Sequence, residues 1–101
     1  MFELNVFDFE KDEIKKTVKR NFCPTYLYIE FERTRAEVEK NNLKNDLEIL
    51  DTLCEPFLKL FPDLTKEEYY NGTVIGDIMY LFGFIVNKAV SVRSNSPSKN
   101  A

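Results

Sequence analysis

Apolar residues at Leu43, Leu47, Leu50, Cys54, Phe57 and Phe61 follow one another at steps of four, three, four, three and four, which traces a single stripe along an α-helix. Ile49, Leu53, Leu58 and Leu60 widen the stripe into a broad face. The pattern predicts a helix from about Leu43 to Phe61. Pro56 falls inside it, removes a backbone donor and clashes one turn back, so a kink or restart is expected near Cys54–Glu55. Pro62-Asp63 then stops the helix. Upstream, Leu27, Phe31 and Val38 share another stripe, with Tyr28 and Ile29 on its flanks. They predict a helix that starts after Pro24, with Thr25 as its N-cap, and ends near Asn41, since asparagine tolerates the left-handed conformation of a helix stop. Glu30–Arg33 and Glu32–Arg35 stand three apart on it, pairs that contribute a few tenths of a kcal/mol each.

The N-terminus has a different period. Phe2, Leu4 and Val6 alternate with polar residues before Phe7 and Phe9, which suits one short strand or an extended arm. A lone strand needs a partner to be stable. Asp8 or Asp12 is placed to cap a short first helix reaching about Arg20, with Ile14 and Val18 four apart on one face. Lys15, Lys16, Lys19 and Arg20 make the opposite face basic. A solvated face, with cations near a helix C-terminus, is favoured there over a phosphate site.

Thr65-Lys66-Glu67-Glu68 matches the capping box, in which each side chain satisfies the other residue's free amide. Leu64 and Tyr69 are spaced for the accompanying hydrophobic staple. Thr65, Glu68 and Gly72 are therefore assigned a helix-capping role: a short helix Lys66–Asn71, closed by Gly72 in the left-handed conformation. Thr73 can cap a last helix, Val74 to Val90. Ile75, Ile78, Phe82, Ile85 and Ala89 form its seam, and Val74, Met79, Leu81, Phe84 and Val86 occupy the rest of its circumference. A helix apolar nearly all round is either central in its fold or covered by a partner, and a domain this small has little interior in which to hide every side. Val74, Ile75, Ile78, Met79, Phe82, Ile85 and Val86 are accordingly expected to include an interface with a second copy or another protein. Gly83 is expected to permit a close helix approach. Asp77, the one charge from Thr73 to Val86, suits the positive end of the helix dipole or a partner's cation.

Together these elements predict a mainly α domain over 1–90, with four to five helices and one short N-terminal strand. Residues 91–101, rich in serine and asparagine, are expected to form a flexible tail.

Composition narrows the function. The chain has 101 residues, with 14 basic and 17 acidic side chains and a net charge of −3, which argues against nucleic-acid binding. No basic segment followed by an apolar one marks a signal peptide, and no uncharged run approaches the ~20 residues needed to span a bilayer, so no membrane partner is expected and a cytoplasmic location is. Cys23 and Cys54 lack a paired or metal-binding spacing and read as small buried hydrophobes. There is no histidine, the commonest general base and metal ligand. No phosphate-binding glycine loop, nucleophile elbow or Cys-x-x-Cys is present. Asp46, Glu48, Asp51 and Glu55 read as a solvated helix face, because catalytic carboxylates need a concave, partly dry site. No catalytic, metal or cofactor-binding residue is assigned, and the chain is not expected to be an enzyme.

Between residues 22 and 90 the pattern is similar to that of a known family. An apolar helix ending in Phe57-Leu-Lys-Leu-Phe61, then Asp63-Leu-Thr-Lys-Glu-Glu-Tyr-Tyr-Asn-Gly72, then an apolar helix, resembles the tail assembly chaperones of siphophages, such as the lambda G protein and its relatives in phages of Gram-positive bacteria. Cys23-Pro-Thr-Tyr-Leu-Tyr-Ile-Glu-Phe31 resembles the start of the family's first helix. Leu64 stands where relatives often carry phenylalanine. The resemblance implies a non-enzymatic chaperone that coats the tape measure protein, keeps it soluble and helps recruit major tail protein. It implies self-association, action in the infected cell and absence from the mature virion. Many relatives gain a second domain by a −1 ribosomal frameshift, and Lys99-Asn100 is compatible with an A-rich slippery run there. The competing reading is a small helical phage or prophage regulator or inhibitor that docks on a host protein.

Overall fold

The computed structural model describes residues 2–94, with side chains through residue 87. The elements are β1 (Phe2–Asp8), β2 (Glu13–Arg20), α1 (Thr25–Glu39), α2 (Asp46–Leu60), α3 (Lys66–Asn71) and α4 (Ile75–Ser94). Four helices and one two-stranded antiparallel sheet make the described residues mainly α, with N-terminal strands. The tail expected over 91–101, including Lys99 and Asn100, lies outside the described residues, apart from the backbone of α4 as far as Ser94.

The segment Glu13–Arg20 is a strand, not the short helix expected from its lysines and the Ile14–Val18 spacing. β1 places Phe2, Leu4 and Val6 in the core and needs a pairing partner; the next segment supplies it. The Asp8 carboxylate accepts from the Glu10 and Lys11 amides at 3.1 Å, Asp12 takes φ 55°, and the chain turns back on itself. Ile14, Thr17 and Val18 are β-branched and suit the strand once it is paired.

In α1, Leu27 and Phe31 are fully buried, Val38 packs beside them, and Asn41 at φ 67° follows the helix end as expected. Thr25 is the first helical residue and not the cap; Pro24 holds the cap position with no side-chain bond. Arg35 pairs with Glu32, whereas Glu30 reaches across to Lys59 at 3.4 Å instead of pairing with Arg33. α2 starts three residues later than its pattern suggested, because the Asn45 side chain accepts from the Glu48 amide at 2.9 Å. Its buried face is Ile49, Leu53, Cys54, Phe57 and Leu60, while Leu47 of the expected seam is exposed. The helix runs through Pro56 without the restart anticipated there.

Aromatic rings knit the helices together. Phe31 meets Phe57 edge-on at 5.1 Å between centroids, and Phe82 of α4 lies 6.4 Å from Phe31. Tyr69 of α3 is buried beside Phe57 and its hydroxyl donates to the Leu50 carbonyl at 2.6 Å. Burial pushes that hydroxyl's pKa upward, so it stays a donor.

Candidate functional site

The capping sequence forms as read. Thr65 Oγ1 accepts from the Glu68 amide at 3.1 Å, and Glu68 Oε1 accepts from the Thr65 amide at 3.0 Å. Leu64 and Tyr69 of the staple are both buried. The same carboxylate does more than cap α3. It pairs with Lys15 at 2.9 Å and Lys16 at 3.0 Å, and Lys16 also donates to the Asp63 carbonyl at 2.6 Å.

Adjacent strand residues normally point to opposite faces. Here Val6 pairs with Lys16 and Phe7 with Ile14, so Lys15 is the extra residue of a bulge. A bulge re-aims side chains, and both lysines reach one carboxylate. Burial opposes ionisation of Glu68, but the Thr65 amide and the two ammonium groups outweigh it and hold its pKa down to about 2. Lys15 and Lys16, two of the four cations that the sequence suggested as a solvated helix face, are thus a clasp fixing the hairpin to α3.

Gly72 completes the clasp from the other side. Its carbonyl accepts from the Phe7 amide at 2.6 Å. Its φ is −111°, not the left-handed value expected of a helix-ending glycine. Glycine is needed because a Cβ would lie 2.8 Å from Val6 Cγ1 and 2.9 Å from the Glu68 carbonyl oxygen. Thr73 does not cap α4; its hydroxyl donates back to the Tyr69 carbonyl.

α4 packs against α1 and β1. Ile78, Leu81, Phe82, Ile85 and Val86 are buried in the chain's own core, and Met79 packs partly against it. Val74 and Ile75, 41% and 42% exposed, and Tyr80, 75% exposed, face outward. Tyr80 stacks on Phe84, which meets Phe2 edge-on at 5.8 Å. Asp77 is exposed and makes no ion pair among the described residues. Gly83 has open space where a Cβ would stand, so it serves no close helix approach within the described residues. Phe9 and Ile14 are exposed at the hairpin turn, a patch that the sequence reading missed because Ile14 was placed on a helix face.

Cys54 is buried and Cys23 half-buried, and burial pushes the Cys23 thiol up to about 11. Among the described residues no cluster of cysteine and carboxylate side chains could hold a metal ion, and no helix is long and apolar enough to cross a membrane.

A family model described as phage tail chaperone protein matches residues 1–101, the whole chain. The chain belongs to the phage tail chaperone family. No curated protein and no solved structure matches it. Membership in the phage tail chaperones implies a non-enzymatic role in tail assembly and partners among phage tail proteins.

Proposed function

We propose that this phage tail chaperone binds the tape measure protein, keeps it soluble while the tail is built, and helps recruit major tail protein, the last through a frameshifted longer form. It acts as a homo-oligomer in the cytoplasm of the infected cell and does not remain in the virion. The observation that carries the reading is the family match over the full length of the chain. The surface supports it. Val74 and Ile75, with Met79 beside them, offer apolar contact on α4, while Ile78, Phe82, Ile85 and Val86 back that helix from inside. Apolar patches on a chain of net charge −3 suit reversible contact with an apolar client while the complex stays soluble.

The test is co-expression with a tape measure protein of the same phage, affinity purification and light scattering. A soluble complex holding many copies per tape measure, weakened by Val74→Asp with Ile75→Asp, is expected. A monodisperse small protein beside an insoluble tape measure would overturn the reading in favour of a helical inhibitor.

A further inference from the structure

We infer that the outer edge of β1 is a docking site for an extended, basic polypeptide segment of another protein, which adds to the hairpin as a third strand. The inference stands on the edge itself and does not require the partner to be a tape measure. In an antiparallel pair, alternate residues turn their N–H and C=O groups to the partner strand and away from it. Phe7 donates its amide outward to Gly72, and the extra residue of the bulge lies in β2, so the alternation along β1 is unbroken. Asn5 and Glu3 therefore turn their amides and carbonyls to the same outer side as Phe7. No described residue bonds to these outward backbone groups of Glu3 and Asn5; the Thr17 hydroxyl donates to the Asn5 side chain, not to its backbone.

The two edges of this sheet are treated differently. β2 carries three lysines, an arginine and a bulge, devices that discourage a further strand. β1 has no lysine and no proline. A neighbouring helix can close such an edge, but α4 leaves a groove of about 310 Å³ beside it, walled by Glu3 and Asn5 on one side and Asp77, Tyr80 and Phe84 on the other. Gly72 blocks only the Phe7 end.

Charge selects the occupant. Glu3 and Asp77 make no ion pair among the described residues, although Lys19 stands opposite Glu3 across the hairpin. A second copy paired through the same edge would bring its own Glu3 and Asp77 to these carboxylates, a like-charge juxtaposition. An extended segment with lysine or arginine at alternate positions places its cations by Glu3 and Asp77. Its backbone takes the free rungs, and its apolar side chains lie against Tyr80 and Phe84. In this mode of recognition the main chain supplies affinity and the alternate side chains supply specificity.

The experiment titrates the full chain with a short peptide alternating lysine and valine, read by amide exchange and chemical shifts. Slowed exchange at Glu3 and Asn5, with shifts confined to β1 and to Asp77–Phe84, is the expected result. A counterpart of equal charge, N-methylated along its bonding edge, should not bind. Asn5→Pro removes an outward backbone donor and should weaken binding by about tenfold or more. Asn5→Ala is its control, since both lose the bond that the Thr17 hydroxyl of β2 donates to the Asn5 side chain at 2.8 Å and only the proline loses the outward amide. Glu3→Lys with Asp77→Lys should do the same and serves as the reading if the proline variant fails to fold. Equal binding of the methylated peptide, or none of either, would overturn the proposal. So would Glu3 and Asn5 amides already protected in a peptide-free dimer, since the edge would then belong to a second copy.

Discussion

At the scale of single residues, two glycines that look alike in the sequence have opposite reasons to be there. Gly72 is held between Val6 and the Glu68 carbonyl, with no room for a methyl group. Gly72→Ala should cost about 1–3 kcal/mol through forced movement of packed neighbours, seen as a lower denaturation midpoint with an unchanged slope. Gly83 sits in α4 with nothing near its missing Cβ. Gly83→Ala should raise stability by about 0.5–1 kcal/mol by restricting the unfolded chain and favouring the helix. If Gly83→Ala stabilises the isolated protein but weakens its self-association, the open space is filled by another molecule in the assembly. The sequence showed that Gly72 ends a helix. It did not show why, because the reason is Val6, sixty-six positions away along the chain. A long-range contact leaves no local signature.

At the scale of elements, local signals were legible where one segment satisfies itself. The capping box, the short helix it opens and the stop at Asn41 are decided by neighbours in sequence, and they form as read. β2 is decided by a neighbour in space. Its lysines and the four-residue spacing of Ile14 and Val18 fit a helix on their own, and the demand of β1 for a partner overrides them. The clasp that follows makes stability depend on pH. Glu68 has its pKa depressed to about 2 in the folded protein, below the ~4.3 of a free glutamate. The stabilisation is therefore present above about pH 4.5 and is lost as pH falls toward 2. Glu68→Gln keeps an acceptor for the Thr65 amide and removes the charge. It should cost on the order of 1 kcal/mol near neutral pH, allowing for the solvent exposure of the lysines. Urea titrations across that window should show a shallower acid loss in the variant than in the parent chain. Equal slopes would mean that the two lysines contribute nothing to holding the hairpin.

At the scale of the whole molecule, the apolar circumference of α4 was visible in the sequence, but its division between core and surface was not. That division depends on where β1, α1 and α2 come to rest, which no periodicity within α4 records. Phe82 and Ile85 face Phe31 and the core, so an aspartate at either buries an unpaired charge; Phe82→Asp should unfold much of a domain whose total stability is roughly 5–10 kcal/mol. Val74 and Ile75 are more than 40% exposed, so Val74→Asp and Ile75→Asp should stay within about 0.5 kcal/mol of the parent in thermal unfolding. The pair of experiments separates folding from assembly. A client complex lost with Val74→Asp and Ile75→Asp, at unchanged melting temperature, locates contact on the outer side of α4. A client complex that survives both changes shifts attention to the hairpin turn, where Phe9 and Ile14 are the exposed apolar side chains on the same end of the sheet that Gly72 holds against α3. Loss of solubility without a client would instead mean that these positions are covered in the chaperone's own oligomer, and size-exclusion chromatography of the single variants distinguishes that case directly.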